Sequence, residues 1–269
     1  MGIDRVEEYL LDRGAELVWE LFHENSKTSF HERHPYFARH PSDAAVVSIM
    51  RRLRAVKPFT DRPKLALPRE LPPAGRPFHE TILARTTARS FGIGPLTLVE
   101  LAAILRLSAG VTRDNLDTAY PRPFRVTPSG GALYPLELYV VADRVEGLEP
   151  GLYHYDPEEH ELDALRAGDE LERLADCLVQ RELAREAAAA VLVAAVFFRS
   201  TVKYGDRGYR FVLLEAGHLA QNALLAAEGM DIAAAPIGGY LDRDVDQLLG
   251  LDGIDESVVY ALLFGRSSS

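Results

Sequence analysis

Residues 128–135 read PSGGALYP, and a strongly apolar segment, residues 136–141, follows at once. A proline fixes the backbone, and two adjacent glycines then remove the side chains that would keep a ligand away from the main chain. The apolar segment predicts a buried strand, which anchors the turn at the end of a sheet. Taken alone, the segment fits two interpretations equally well. It is either an ordinary loop before a strand or a wall on which a flat ligand lies.

Apolar periodicity along the rest of the chain predicts hairpins and long helices. The predicted strands are residues 137–142, 152–155, 160–162, 191–198 and 258–264. The predicted helices are residues 3–25, 43–56, 98–108, 169–189, 209–229 and 242–249. Thr97 and Glu100 have the spacing of a capping box, and Asp242 is placed to cap the last helix. Because strands and helices do not alternate regularly, the pattern favours an α+β fold over a doubly wound sheet.

Proline marks the boundary that we expect between two parts of the chain. Residues 57–79 contain Pro58, Pro63, Pro68, Pro72, Pro73 and Pro77. Such a segment is typical of an extended connector. We therefore predict a helical arm and connector over residues 1–79 and the main domain over residues 80–269. Within that domain, residues 111–127 are predicted to form a polar loop.

Composition excludes several classes of function. The 269 residues are 47% hydrophobic, and the formal net charge is −10. This charge argues against nucleic-acid binding, which usually needs a basic face. Cys177 is the sole cysteine, so neither an intramolecular disulfide nor a cysteine-based zinc site can form. The sequence has no apolar run long enough to span a bilayer and no signal peptide at its start, so we predict a cytoplasmic protein without membrane contacts.

Histidines cluster near the N-terminus, at positions 23, 31, 34 and 40. Their spacing to acidic residues is not that of a metal site, and we interpret the segment as an exposed polar loop. His218, Gln221 and Asn222 share one face of the predicted helix 209–229, where we expect them to pin a neighbouring backbone. No Rossmann fingerprint, Walker motif or nucleophile elbow is present, which disfavours those classes of enzyme.

Three cationic or glycine-rich clusters have weak signals when each is taken alone. Arg85 and Arg89 flank the hydroxyl of Thr87, and guanidinium forks bind phosphate in a bidentate manner. Residues 236–240, PIGGY, form a second proline and glycine turn, so two such turns could be two walls of one slot. Arg266 follows Gly265 at the end of the last predicted strand, where it either reaches a phosphate or keeps the terminus soluble.

Residues 199–210 form the richest polar stretch and follow the most apolar predicted strand. Loops in this position often carry chemistry. Lys203 and Tyr204 are candidates for a base or an acid, provided that burial or neighbouring cations lower their pKa values. The alternative is a surface loop with ordinary salt bridges, and the sequence does not decide between the two.

In order and spacing, five segments resemble the SagB-type (McbC-like) dehydrogenases of the flavin-dependent nitroreductase superfamily. The segments are residues 85–89, 128–135, 203–210, 236–240 and 265–266. Residues 22–27, FHENSK, also resemble the entry segment of that family. The resemblance covers nearly all of residues 80–266. Thr87 stands where the superfamily usually has serine, and it retains the hydroxyl.

The resemblance implies an α+β nitroreductase fold with a mainly antiparallel central sheet, an FMN cofactor and a homodimer with flavin sites at the subunit interface. Arg85, Thr87 and Arg266 would hold the phosphate and ribityl chain, and Arg89 would lie near the pyrimidine end. The two turns would line the flavin ring through their backbones. The predicted cofactor-binding residues are thus Arg85, Thr87, Arg89, Pro128, Ser129, Gly130, Gly131, Pro236, Ile237, Gly238, Gly239 and Arg266.

The resemblance also implies a reaction, the oxidation of thiazoline or oxazoline rings to aromatic azoles. The substrate would be a ribosomal peptide or a carrier-bound nonribosomal intermediate, with a cyclase or synthetase as a further partner. Lys203 or Tyr204 would remove the ring proton beside the carbonyl, and FMN would take hydride from the neighbouring carbon. Oxygen or another acceptor would then reoxidise the flavin. Two alternatives stay open: a general NAD(P)H-dependent FMN reductase of nitro or quinone compounds, and a scaffold subunit with a structural flavin.

Overall fold

The computed structural model describes residues 18–27, 48–49, 52–53, 56–73, 75–115 and 122–268. Its strands are β1 (Lys64–Ala66), β2 (Phe91–Gly92), β3 (Leu96–Thr97), β4 (Val111–Arg113), β5 (Phe124–Arg125), β6 (Leu136–Ala142), β7 (Val145–Glu146), β8 (Gly151–Asp156), β9 (Glu161–Ala167), β10 (Ala189–Val196), β11 (Ile232–Ile237) and β12 (Glu256–Ser267). Its helices are α1 (Val18–Asn25), α2 (Phe78–Ala84), α3 (Leu98–Ala109), α4 (Glu170–Cys177), α5 (Arg181–Glu186), α6 (Phe198–Tyr204), α7 (Asp206–Gly229) and α8 (Asp242–Leu249).

One antiparallel sheet organises these elements. Its strand order is β1-β9-β8-β6-β10-β12-β11, and β2 pairs with β12. The remaining strands form two small sheets, β3 with β7 and β4 with β5. Helices lie on both faces of the main sheet. The α+β prediction with a mainly antiparallel sheet is confirmed.

Strand β10 lies in the interior of the sheet, between β6 and β12, and its sequence is apolar on both faces. Side chains alternate along a strand, so Val191 and Val193 join one core cluster while Leu192 and Ala194 join the other. Helices α3 and α7 cover the first cluster, and α4, α5 and α8 cover the second. Because helices bury both faces of β10, every residue along the strand has to be apolar, which explains its continuous apolar sequence.

The two ends of the sheet carry different parts of the candidate site. We call residues 128–135 the PSGG turn. Leu136, the next residue, pairs with Ala195, and Ala195 pairs with Ser257 at the start of β12. Arg266 lies near the other end of β12, nine residues beyond Ser257. At about 3.3 Å per residue, the separation along the strand is roughly 30 Å. Ala88 also lies at the Arg266 end, where its N–H donates to the Ala234 carbonyl.

Several predicted elements are confirmed, including the capping box. The Thr97 hydroxyl accepts from the Glu100 N–H, and the Glu100 carboxylate accepts from the Thr97 N–H at 2.7 Å. The predicted hairpin corresponds to β8 and β9, and the long helix to α7.

Other predicted elements differ from the structure, because contacts between distant residues determine the local conformation there. The helix predicted over residues 169–189 is wrong as one element, because Leu178 bridges to Tyr240 and the Val179 N–H donates to Gly239, which separates α4 from α5. The predicted loop 111–127 contains β4 and β5. Asp242 is not a cap but the first residue of α8, since Leu241 takes the cap position.

The polar stretch 199–210 is helical rather than a loop. It comprises most of α6 and the start of α7, separated by Gly205 at φ 55° and ψ −142°. Gly208 fits against α6 so tightly that a Cβ would lie 2.9 Å from the Thr201 nitrogen. The polar side chains therefore lie on helices that meet at a sharp corner.

Much of the predicted N-terminal arm falls outside the described residues. Only residues 18–27 of the first predicted helix region and residues 48–49, 52–53 and 56 of the second are described, and positions 31, 34 and 40 are not. The proline-rich connector supplies β1, which pairs with β9 at the edge of the main sheet. The domain division at residue 80 stays a prediction.

Candidate functional site

The PSGG turn has a strained backbone. Gly131, Ala132 and Tyr134 have φ values of 70°, 52° and 46°. Glycine adopts such angles freely, but an alanine or a tyrosine there costs about 1–2 kcal/mol. Pro128, Gly130 and Gly131 are exposed, so a ligand can reach the backbone of the turn.

Polar contacts hold the strained residues in place. The Ser129 hydroxyl oxygen accepts a hydrogen bond of 2.9 Å from the Tyr134 N–H. The Tyr134 hydroxyl accepts a bond of 3.0 Å from the Arg125 N–H, and the Arg125 guanidinium lies 4.7 Å from the centre of the Tyr134 ring. The turn therefore has a defined shape before any ligand binds.

Lys203 and Tyr204 contact this turn. A Cβ at Gly131 would lie 2.7 Å from both Lys203 Nζ and the Tyr204 hydroxyl oxygen. The Tyr204 ring also packs edge-on against Phe211, with 4.9 Å between ring centres. Glycine at position 131 is therefore required both by its φ and by the approach of these two side chains. The geometry places the amine of a lysine and the hydroxyl of a tyrosine beside an accessible backbone.

A polar cavity of about 390 Å³ lies at the opposite end of the sheet. Thr87 and Arg89 line it, together with the termini of β11 and β12. Arg76 also lines it and is already paired with Glu228 and Asp231, each at 2.9 Å. Arg85 caps the end of α2 outside the lining. Within the part of the chain that the structure describes, neither Arg85 nor Arg89 is held by an acidic side chain.

Arg266 is held by its own chain. Its two terminal nitrogens bond to the Glu100 carboxylate at 2.7 Å each, and its Nε donates to the Pro95 carbonyl at 2.8 Å. The pair keeps the pKa of Glu100 below its ordinary value even though burial acts to raise it. The structure therefore assigns Arg266 a clear role in fixing α3 to β12, and its phosphate contact stays a prediction.

In the second glycine turn, residues 236–240, one glycine is packed against the protein and the other faces open space. Pro236 and Ile237 end β11, and a Cβ at Gly238 would meet only open space. A Cβ at Gly239 would lie 3.2 Å from the Val179 side chain. Gly239 therefore serves packing, whereas Gly238 leaves room for a ligand.

The predicted polar helix face is only partly supported. His218 and Gln221 are exposed, so they pin no backbone and the structural role given to them is wrong. Asn222 donates to the Thr127 hydroxyl at 3.4 Å. The helical spacing correctly placed positions 218, 221 and 222 on one side of α7. It did not reveal that His218 and Gln221 on this side are exposed to solvent.

Sequence patterns missed a buried ionic network beneath the turn. Glu137 pairs with Arg199 at 2.5 Å and with His154 Nε2 at 2.7 Å. Burial opposes ionisation of Glu137, but the Arg199 charge and His154 outweigh it and lower the pKa of this carboxyl to about 2. A lone glutamate inside the apolar strand β6 was the signal available in the sequence.

Glu215 was missed as well. It is 5% exposed and lies on the core-facing stripe of α7, beside Val212 and Ala216. Burial raises the pKa of Glu215 to about 8, against the lowering effects of the Ser129 side chain and of the charge of Arg125. A buried acid next to the PSGG turn is a further candidate for the site.

Comparison with known proteins identifies the family. Residues 82–266 match the nitroreductase family. This chain belongs to the nitroreductase family. It is 35% identical over 170 residues to a protein named as a nitroreductase, MJ1384 of Methanocaldococcus jannaschii, covering 63% of this chain and 82% of that protein. No helix among the described residues is both long and apolar enough to cross a membrane.

Two further relatives of this nitroreductase-family chain are named as processing proteins. The identity is 33% to the trifolitoxin-processing protein TfxB of Rhizobium leguminosarum, over 53% of this chain and 39% of that protein. It is 30% to the microcin B17-processing protein McbC of Escherichia coli, over 54% of each. The predicted resemblance to SagB-type proteins is thereby confirmed. The chain spans about half the length of these two relatives or less.

Solved structures support the same fold. A nitroreductase from Anabaena variabilis superposes with a TM-score of 0.61 at 31% identity, over 71% of this chain and 38% of that one. A chain of the E. coli microcin synthetase McbBCD complex, with truncated pro-MccB17 bound, gives a TM-score of 0.58 at 22% identity, over 90% of this chain and all of that one. At that identity the second match supports the fold alone.

Proposed function

We propose that this protein is an FMN-dependent dehydrogenase that oxidises thiazoline or oxazoline rings to azoles during maturation of a peptide. The observation that carries the proposal is the contact of Lys203 and Tyr204 with the exposed Gly130–Gly131 turn. A dehydrogenation that also removes a proton needs a base at the carbon that loses the proton, beside the carbon that loses hydride. A flavin reductase that only passes electrons does not need this pair.

The residues fit a flavin at three places. Gly131 and Gly238 leave the backbone bare where a flat ring would lie, and Arg89 and Thr87 line a polar cavity of about 390 Å³. Guanidinium and hydroxyl donors are the groups that hold phosphate. When bound, FMN would supply the two-electron oxidation, and this chain would supply position and proton transfer.

Two copies of the chain are proposed to form each flavin site together. The start of β6 is in register with Ser257, and Ser257 and Arg266 are roughly 30 Å apart along β12, farther than one FMN can reach. The phosphate residues of one chain and the turn of another would together form one site. Helix α7 offers a surface for such a dimer, since Leu213 and Leu214 on it are exposed and a Cβ at Gly217 would meet nothing within 4 Å.

Lys203 and Tyr204 are proposed to remove the ring proton of the substrate. The substrate carbon next to the carbonyl loses a proton to one of them, and the adjacent carbon loses hydride, so the ring loses two hydrogens and becomes aromatic. The turn holds both side chains in one place, which aligns them with a ring stacked on its backbone.

The relatives named above support a proposal for the substrate and the partner. TfxB and McbC are named as processing proteins of trifolitoxin and microcin B17, and a chain of the microcin synthetase McbBCD complex has a similar fold. We therefore propose a peptide or carrier-bound azoline as substrate and a cyclase or synthetase as partner.

The proposal is tested by a flavin spectrum followed by an anaerobic titration. The purified protein should be yellow, and an azoline peptide should bleach the flavin absorbance while a matched peptide without the ring should not. A flavin that the azoline leaves oxidised would contradict the proposed reaction.

One alternative has an observation of its own. The similarity to MJ1384, named as a nitroreductase, favours a general FMN reductase that draws electrons from NAD(P)H. Rapid bleaching of the flavin by either nucleotide, with no effect of the azoline, would establish that activity instead.

A further inference from the structure

The FHENSK segment, residues 22–27, is held by two arginines near the start of α7. Ser26 is only 3% exposed, although it lies just beyond the end of α1. Its hydroxyl oxygen accepts a hydrogen bond of 2.8 Å from Arg210 Nε, and its carbonyl accepts one of 3.3 Å from Arg207 Nη1. Arg210 Nη2 also donates to the His23 carbonyl at 2.5 Å. The last carbonyls of a helix have no partner within it, so guanidinium donors suit this end of α1.

Aromatic contacts connect the same segment to the start of α6. The Phe22 ring packs edge-on against Tyr209 of α7, with 5.3 Å between ring centres. The Tyr209 ring in turn lies 5.4 Å from the Phe197 ring, and Phe197 takes the cap position at the start of α6. The Arg210 guanidinium lies 5.7 Å from the centre of the Phe22 ring, so it adds a cation–π contact to its hydrogen bonds.

The other end of α6 is reached through Arg207. Its guanidinium lies 5.8 Å from the centre of the Phe211 ring. Phe211 packs edge-on against Tyr204, the last residue of α6, with 4.9 Å between ring centres. It also lies against the PSGG turn, because a Cβ at Gly130 would be 3.5 Å from its ring. The FHENSK segment is thus linked to both ends of α6, through Tyr209 at its start and through Arg207 and Phe211 at its end.

Helix α6 depends on such contacts for its position. It has seven residues, and Gly205, at φ 55° and ψ −142°, separates it from α7. A helix of this length is marginal by itself, so its neighbours decide where its last residues lie. Those last residues are Lys203 and Tyr204.

We infer that Ser26 is a positioning residue, which docks the FHENSK segment on Arg207 and Arg210 and thereby fixes Lys203 and Tyr204 beside the PSGG turn. The catalytic part of this inference rests on the proposed function. Ser26 acts through the side chains of α7 and is not itself a catalytic residue.

Two measurements on the flavin-free protein follow the docked segment and α6 separately. Trp19 is the sole tryptophan of the chain, and it lies on α1 with 63% of its surface exposed. Its fluorescence anisotropy is high while α1 tumbles with the domain and falls when α1 moves on its own. Amide hydrogen exchange at Gly205 reports on the end of α6, because this N–H donates to the Thr201 carbonyl at 2.7 Å.

The test compares variants that differ in the bonds between the segment and α7. Ser26→Ala removes the hydroxyl acceptor, and Arg210→Ala removes the donors to Ser26 and His23. Arg210→Lys retains the charge and one donor at a time. Arg243→Ala, which removes an exposed arginine of α8, is the matched control. The double variant Ser26→Ala/Arg210→Ala shows whether the two side chains act through one contact.

We expect lower Trp19 anisotropy in Ser26→Ala and Arg210→Ala, with exchange at Gly205 about tenfold faster. Turnover of an azoline peptide should fall about tenfold at unchanged KM and unchanged FMN affinity, because only the proton-transfer groups are displaced. The double variant should be no worse than Arg210→Ala, Arg210→Lys should recover part of the loss, and Arg243→Ala should resemble the wild type.

Wild-type anisotropy and exchange in Arg210→Ala would overturn the inference, and so would additive losses in the double variant. A loss of FMN affinity as large as the loss of turnover would also overturn it, since that pattern indicates general damage to the fold. If Arg210→Ala does not fold, unchanged exchange at Gly205 in Ser26→Ala overturns it.

The outcomes separate this inference from the proposed function. A flavin-loaded wild type that leaves the azoline unchanged would contradict the proposed function. Trp19 anisotropy and Gly205 exchange would then still decide whether Ser26 docks the segment and holds α6. Normal turnover in a variant with a released segment and fast exchange would overturn the catalytic part of the inference alone.

Discussion

Arg199 at the start of α6 and Glu137 at the start of β6 form a buried ion pair, with 2.5 Å between Nη2 and Oε1. Arg199 Nη1 also donates to the Tyr134 carbonyl at 3.2 Å. The pair therefore joins the helix that carries Lys203 and Tyr204 to the turn that those side chains contact. The pair of Arg199 and Glu137 therefore positions the two parts of the candidate site relative to each other.

Removing one partner of this pair should destabilise the fold. In Glu137→Gln the carboxylate charge of the buried pair is lost, and breaking a buried ion pair typically costs about 3–5 kcal/mol. Urea unfolding should show a loss in this range. Glu182→Gln, which breaks an exposed pair with Arg185, should change stability by less than about 1 kcal/mol. Equal effects of the two variants would contradict the buried role of Glu137.

Glu215 should make stability fall as pH rises. Its pKa is about 8 in the folded chain against an ordinary value of 4.5, so between these values the folded chain retains a proton that the unfolded chain releases. The free energy of unfolding therefore decreases across this window, by at most about 1.4 kcal/mol per pH unit. In Glu215→Gln this decrease is absent, so the free energy of unfolding of the variant should rise relative to that of the wild type between pH 5 and 8. If the stabilities of the wild type and Glu215→Gln changed in parallel with pH, Glu215 would be ionised in the folded protein and this prediction would be wrong.

Gly131→Ala should impair catalysis more than stability. The new Cβ would meet Lys203 Nζ and the Tyr204 hydroxyl, and a φ of 70° adds about 1–2 kcal/mol of strain. Gly250→Ala is the matched control, since its φ is 71° and a Cβ there would meet nothing within 4 Å. We expect similar losses in melting temperature for both and a turnover at least tenfold lower for Gly131→Ala alone. Equal turnover in the two variants would argue that Lys203 and Tyr204 act elsewhere.

An acid on the exposed face of α7 should separate the proposed dimer and remove its flavin. Leu214 is 61% exposed, and Leu214→Asp would bury a charge in the interface. Ile254 is 81% exposed in the loop after α8, so Ile254→Asp serves as the control. Sedimentation and FMN fluorescence should show monomers with weak FMN binding only for Leu214→Asp. A monomer that binds FMN normally would contradict a site shared between two copies.

The sequence predicted those elements whose pattern is decided locally. The continuous apolar run of β10 and the capping box of Thr97 and Glu100 are examples, because core burial and helix ends leave direct signals. Residues 169–189 were predicted as one helix because no local signal marks the contacts of Leu178 and Val179 with residues 239–240.

The candidate site was predictable by residue type but not by arrangement. Motif order grouped Arg266 with the PSGG turn, whereas the register of β12 puts them at opposite ends of the sheet. Conversely, nothing in the sequence indicates that Gly131 meets Lys203, since that contact depends on how β6 and β10 pair. The hydrophobic pattern of a helix does not reveal a buried acid such as Glu215. A single acidic residue in the apolar stripe of α7 looks like an ordinary interruption of that stripe.

Mass spectrometry of an azoline peptide incubated with the protein, FMN and oxygen tests the central claim most directly. We predict that the wild type removes two hydrogens from the peptide and that a variant lacking the base, Lys203→Ala or Tyr204→Phe, leaves most of it unchanged while still binding FMN. Full loss of two hydrogens in both variants would exclude Lys203 and Tyr204 from the chemistry. An unchanged peptide with the flavin-loaded wild type would contradict the azoline dehydrogenase assignment.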